Sequence, residues 1–379
     1  MKLLFASDSF KGSLSSEKII DILIDAAKTV FGDCSCRGVL MADGGEGTLD
    51  AVIKETGGRM VTIKAAGPLY DDVNASYGIL SDGSALVEMA RASGLPLVED
   101  ERRNPLNATS FGTGQLIKDA IENGCKNITV SLGGSATNDG GIGAMRALGA
   151  IFKDEQGNEL SGIGADLKKI HTIDITKLKE LTEGVKFTVM CDVTSPLLGA
   201  NGATYTFGAQ KGATPDMQKE LECGMENYAG VIKNTVGKDV SDLTGGGAAG
   251  GLGAALMAFL DAELKSGIET ILDLLDFDSL LNGVSLVVTG EGRIDSQSAQ
   301  GKVVSGVAKR AKRAGIPAVA IVGGICEGYE TIYECGISSV IPTVNGIMTL
   351  DKAMNDAEKL YKDAAIRMFK LIDAGMKIK

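Results

Sequence analysis

Two rhythms of apolar and polar residues alternate along this chain. Residues 3–7 form a short apolar run. Ile19, Ile20, Leu23 and Ala27 then recur at the spacing of one helical face, which predicts a strand followed by a helix over 15–30. A second strand over 39–42 and a helix start over 48–54 complete a strand-helix-strand-helix unit, the grammar of a parallel doubly wound sheet. The grammar then changes. Residues 60–90 predict three strands joined at Gly67-Pro68 and at Ser81-Asp82-Gly83-Ser84, an antiparallel meander.

Further on, the pattern predicts helices over 114–123, 142–148, 253–260 and 268–275, with strands over 128–132, 187–191 and 204–207. From Ser285 the first rhythm resumes, with strands over 286–289, 318–322 and 339–341, a helix over 303–314 and a terminal helix over 350–372. The outer pieces supply about five strands, enough for one flavodoxin-like sheet. The expected fold is therefore α/β: a discontinuous flavodoxin-like, doubly wound parallel domain over 1–60 plus 283–379, with a mixed α/β domain over 61–282 inserted into it.

Six apolar segments run directly into glycine-rich turns, most of them bearing an acid: LLFASDSFKGS, GVLMADGGEGT, ITVSLGGSATNDGG, FTVMCDVTSPLLG, SLVVTGEGRIDSQS and AVAIVGG. Any one of them could be an ordinary strand end whose Asp caps the next helix. Together they point to a phosphate and metal site. Ligands of open α/β sheets bind beyond the carboxyl ends of the strands, where glycine admits phosphate to backbone N–H groups and carboxylates hold Mg2+.

Composition narrows the choice. A chain of 379 residues with 44% hydrophobic content has room for two cores. A net charge of −11 and the absence of Trp disfavour nucleic acid and anionic membrane as partners. No apolar run approaches a membrane span, and the first residues do not form a signal peptide. The seven cysteines form no CxxC pair, which fits reduced thiols and a cytoplasmic location. The single histidine, His171, rules out His-rich zinc sites and makes a Ser-His-Asp triad a poor reading. Gly245 to Gly250 matches GxGxxG without a preceding strand, and Gly301-Lys302 lacks the rest of a Walker A loop.

Phosphoryl transfer remains, in which the protein positions groups and neutralises charge. The nucleotide phosphates are assigned to Gly133, Gly134, Ser135, Asn138 and Asp139 and to Gly245, Gly246 and Gly247, because both glycine loops lead into helices. Cations are scarce in the loops and therefore informative. Arg293 or Arg91 suits a substrate carboxylate through its planar fork, and Lys11 suits the transferring phosphoryl group. Ser9, in the same loop as Lys11, joins the substrate set. Asp43 and Glu46, or Glu291 and Asp295, are the candidate Mg2+ ligands, and Asp192 is the candidate for orienting or deprotonating a substrate hydroxyl.

The blocks DSFKGSLS, MADGGEGT, EMARASGL, SLGGSATNDGGIGA, CDVTSPLLG, FGAQKGA, GGGAAGGLGAAL and TGEGRIDSQSAQGK follow one another in an order that resembles the bacterial glycerate kinases of the first type over nearly the whole chain. That resemblance implies ATP-dependent, Mg2+-requiring phosphorylation of D-glycerate, with the 2-phosphate favoured over the 3-phosphate. Two departures stand out: Ala209 replaces an expected proline, and Arg91 an expected alanine, which places Arg91 behind Arg293 as the anchor. The rival readings are a kinase for another small hydroxy acid and a nucleotide-responsive binding protein without chemistry. The second would not need acids at Asp43, Asp192, Glu291 and Asp295.

Overall fold

The computed structural model describes residues 1–41 and 47–378, in two compact units, Met1–Asp43 with Gly267–Lys379 and Gly44–Ser266. The first unit is built on a five-stranded, wholly parallel sheet. Across it the strands run Ile337–Pro342, Ala318–Ile325, Leu286–Ile294, Lys2–Phe5 and Ser35–Gly38, the flavodoxin-like order 2-1-3-4-5 when counted along this unit.

The sheet is buried on both sides because its strands are apolar at successive positions, not alternate ones. Leu3 and Phe5 face a core with Leu286, Val288, Val319 and Ile321, while Leu4, Val287 and Ala320, pointing the other way, are also fully buried. Helices Ser16–Phe31 and Ala357–Met376 cover the first face, where Phe369 packs against Phe5 and Phe31 at ring-centroid distances of 6.3 and 5.5 Å. Ser15 starts the first of these helices by accepting from Lys18 N.

Helix Val303–Arg313 carries the buried Arg310, whose guanidinium donates to Glu269, Asp273 and Asp278. That buried cation ties helices Gly267–Leu274 and Phe277–Leu280 to this unit.

In the second unit a six-stranded mixed sheet runs Glu263–Lys265, Lys186–Met190, Asn127–Ser131, Ala85–Glu88, Asp72–Ile79 and Arg59–Ala66. The last three form the antiparallel meander and the others are parallel. Its core gathers Tyr77, Val130, Phe152, Val189, Tyr228 and Leu252.

Several expectations are corrected. The domain boundaries expected at 60/61 and 282/283 both lie earlier. Helix Thr48–Thr56 belongs to the second unit because Glu88 accepts from Leu49 N at its first turn, and the helices tied by Arg310 belong to the first. The strand expected over 39–42 lies instead at Ser35–Gly38; it is an edge strand with half-exposed side chains, so its pairing leaves no apolar signature. Residues 203–207 form a helical turn, closed by Gly208 N donating to Thr204 O, where a strand was expected. The terminal helix is divided into Leu350–Asn355 and Ala357–Met376.

The pattern missed the 22-residue helix Pro215–Val236, although Thr214 as cap, Pro215 at the first position and Gly237 beyond the end announce it. It also missed the small ribbon of Ile151–Lys153 and Thr172–Asp174.

Candidate active site

In the first unit the chain leaves strand Lys2–Phe5 toward one side of the sheet and strand Leu286–Ile294 toward the other, so their following loops part. Such a switch point is where open α/β sheets bind ligands. A cavity of about 750 Å3 lies at the carboxyl ends of four of the parallel strands. Asp8, Ser9 and Lys11 come from the loop after the first strand, Glu291 and Arg293 from the end of strand Leu286–Ile294 with Asp295 just beyond it, Gly323 and Gly324 from the end of strand Ala318–Ile325, and Thr343 and Val344 from the loop after Ile337–Pro342.

Local structure fixes these groups. Asp8 N donates to Gly290 O, and the Asp8 carboxylate accepts from Ser9 N at 2.7 Å, so the loop carrying Lys11 is anchored to the adjacent strand. Asp295 caps the short helix Ser296–Ala299 by accepting from Gln297 N at 3.0 Å. Lys302, at the start of helix Val303–Arg313, places Nζ 3.5 Å from Glu291 Oε2 and 3.8 Å from Asp295 Oδ1. Arg293 is 71% exposed and lies 3.4 Å from Asp295 Oδ2.

The two acids differ electrostatically. Burial pushes the Glu291 carboxyl up, against the pull of the Ser298 hydroxyl and Lys302. Its Oε1 is buried and has no hydrogen-bond partner. For Asp295 burial also works upward, but the Gln297 N–H, Lys302 and Arg293 outweigh it and hold the carboxyl below its ordinary value. Among the described residues no three His, Cys, Asp or Glu side chains form a metal-binding group, and Glu291 with Asp295 make a pair only. Asp43 and Glu46 lie outside the described residues.

The sequence-derived candidates thus divide. Lys11, Ser9, Arg293, Glu291 and Asp295 converge on one cavity. Asp8, Lys302 and Gln297 line it too; the assignment passed over them, although Asp8 follows a predicted strand directly and Lys302 was visible as a loop cation.

The second unit holds the others. Asp192 is exposed just beyond the parallel strand Lys186–Met190. Arg91 is committed to protein partners, with Nε donating to Glu88 at 2.9 Å and Nη2 to Asp50, which corrects its reading as an open substrate anchor.

The nucleotide candidates are corrected in part. Asp139 is fully buried and accepts from Ser110 N and Oγ, Gly141 N and Gly143 N, so its carboxylate holds two helix starts together. Asn138 is buried and donates to Thr204 Oγ1. Gly245, Gly246 and Gly247 are buried as well, and a Cβ on Gly247 would come within 2.3 Å of Pro196 O. The glycine run therefore serves close approach of backbone to backbone. Gly133 and Gly134 are exposed and Ser135 is almost covered. Lys211, another loop cation, is buried with Nζ donating to Thr137 O at 2.7 Å, and burial pushes its ammonium down to about 7, partly offset by Asp139.

Among the described residues no helix is long and apolar enough to cross a membrane. The glycerate kinase family model matches residues 3–373. The chain is 47% identical to the glycerate 2-kinase of Escherichia coli K12 over 94% of both chains, and 42% identical to a glycerate kinase of Halalkalibacterium halodurans over 96% of both. A crystal structure from Salmonella typhimurium LT2, assigned as glycerate kinase 2, superposes with a TM-score of 0.89 at 42% identity over the full length of both chains. A parallel-sheet cavity bearing both cations and carboxylates, and likeness along nearly the whole sequence, lead to one conclusion: the chain belongs to the glycerate kinase family and is a kinase.

Proposed function

We propose that this glycerate kinase transfers the γ-phosphoryl group of ATP to the 2-hydroxyl of D-glycerate, giving 2-phosphoglycerate and ADP. The observation that carries the reading is the convergence of Lys11, Arg293 and Lys302 on one cavity of a chain whose net charge is −11. Cations gathered on an acidic protein suit an anionic substrate and phosphate oxygens. The 2-hydroxyl is favoured because the Escherichia coli relative is named a glycerate 2-kinase.

Arg293 holds the glycerate carboxylate through its planar fork, with Ser9 beside it. Lys11 balances charge on the phosphoryl group in flight, whose bond to the β-phosphate oxygen breaks as the hydroxyl oxygen bonds to phosphorus. Asp192, exposed beyond a strand end of the second unit, is the candidate by its chemistry for orienting that hydroxyl and accepting its proton. Glu291 and Asp295 are the residues that would hold Mg2+, and the partnerless buried oxygen of Glu291 fits that demand. When bound, Mg2+ neutralises the phosphate oxygens.

The test is ADP formation from ATP and Mg2+ in the presence of D-glycerate, L-glycerate and other small hydroxy acids, with 31P NMR of the product. The expected result is turnover dependent on D-glycerate and a phosphorus signal coupled to the proton on C2. Faster turnover of another hydroxy acid, or coupling to the C3 protons, would overturn the reading.

A further inference from the structure

The lining of the first unit's cavity is of two chemical kinds: cationic at Lys11, Arg293 and Lys302, and apolar at Phe10, Val344, Met348, Leu350, Ala353 and Met354. Leu350 is 74% exposed and Met354 38%, so apolar area stands open at the cavity. Glycerate has three carbons and an oxygen on each, and it gives such a wall nothing to cover. A ligand that uses both kinds of lining has a flat apolar portion joined to an anionic one, the chemistry of a nucleotide.

We propose that the nucleoside end of the phosphoryl donor lies against Val344, Met348, Leu350 and Met354, with its phosphates toward Lys11 and Lys302. This assignment rests on the ATP-dependent reading above and places the donor in the first unit. Several observations agree. Two of the wall residues are methionines, whose flexible thioethers adapt to an aromatic ring face. Thr349 fixes the start of helix Leu350–Asn355 by accepting from Lys352 N, which sets Leu350, Ala353 and Met354 on one short turn. Thr343 Oγ1 donates to Gly323 O at 3.4 Å, joining the base of the wall to the neighbouring strand end. Of the two glycine loops of the second unit, the competing location, Gly245 to Gly247 are buried in packing, and Gly133 and Gly134 stay open.

Calorimetric titration of the full chain with ADP and Mg2+, without glycerate, tests the assignment on wild type, Leu350→Asp, Met354→Ala and Gly134→Ala, with inorganic triphosphate as a probe that lacks a base. Leu350→Asp is expected to weaken ADP about tenfold and Met354→Ala by a few-fold, because each removes apolar cover. Triphosphate affinity and the KM for D-glycerate should stay within about twofold. Exposure of Leu350 means that its variant folds, and an unchanged melting temperature checks this. Equal ADP affinity in wild type and both wall variants, or a loss confined to Gly134→Ala, overturns the proposal. So does an equal loss of triphosphate, which would mean that the wall merely supports the cations. Because ADP binding is read without glycerate, failure of the wall and failure of the glycerate reaction appear in different measurements.

Discussion

Lys302 Nζ stands 3.5 Å from the buried Glu291 carboxylate, whose second oxygen has no hydrogen-bond partner. One ammonium therefore answers half of a carboxylate that burial has made costly to ionise. A fold built for stability alone would favour a neutral group at that position, which supports the proposed role of the pair at the site.

A pH signature follows from Glu291. Burial raises its carboxyl above the ordinary value of 4.5, so the folded state holds that proton more firmly than the unfolded chain does. The stabilising contribution is complete below that ordinary value and declines as pH rises through the raised one. Glu291→Gln escapes the decline. Thermal melts should show the variant level with wild type near pH 4 and about 2–4 °C more stable near pH 7, with turnover reduced. A variant less stable than wild type at neutral pH would mean that the ion pair outweighs burial.

Arg293 lies open to solvent, so its replacement tests recognition and leaves packing alone. Arg293→Lys keeps the charge and loses the fork; the KM for D-glycerate should rise about tenfold while the melting temperature holds. Unchanged glycerate kinetics would remove Arg293 as the carboxylate anchor.

For Asp192, exposed beyond a parallel strand, the informative change is Asp192→Asn. Loss of the basic site should lower kcat by roughly 10²–10⁴-fold and leave ADP binding largely intact. Turnover measured against Mg2+ concentration separates the roles: recovery at high Mg2+ indicates a metal ligand, and wild-type turnover dismisses the residue from the chemistry.

Asp139 supplies a control with the opposite expectation. Removing a carboxylate that satisfies Ser110 and the amides of Gly141 and Gly143 leaves buried donors without acceptors. Asp139→Ala should cost about 3–5 kcal/mol in denaturant unfolding. The ATP KM of the protein that remains folded should match wild type. A stable Asp139→Ala protein with a raised ATP KM would return Asp139 to the nucleotide.

The sequence by itself determined four of the five strands of the parallel sheet, helped by successive apolar positions where a strand is buried on both faces, as at Leu3–Phe5 and Leu286–Val288. It also determined the antiparallel meander, through turn residues whose backbone preferences act locally. Membership of the family lay in ordered blocks of residues, and Lys11, Arg293, Glu291 and Asp295 could be singled out because charges are rare in loops that end strands. Tertiary structure alone decided which loops are open. Gly133 and Gly134 reach solvent, whereas Gly245 to Gly247 are buried, Gly247 against the backbone of residues 195–203, and both runs look alike in one dimension. The sequence offers Arg91 as a second candidate anchor behind Arg293, and nothing local records that Asp50, far away in sequence, pairs with it. Strand Ser35–Gly38 needed its partner at Lys2–Phe5 to exist at all. In each case the deciding energy is desolvation or a hydrogen bond supplied by a distant segment, and no local pattern records it.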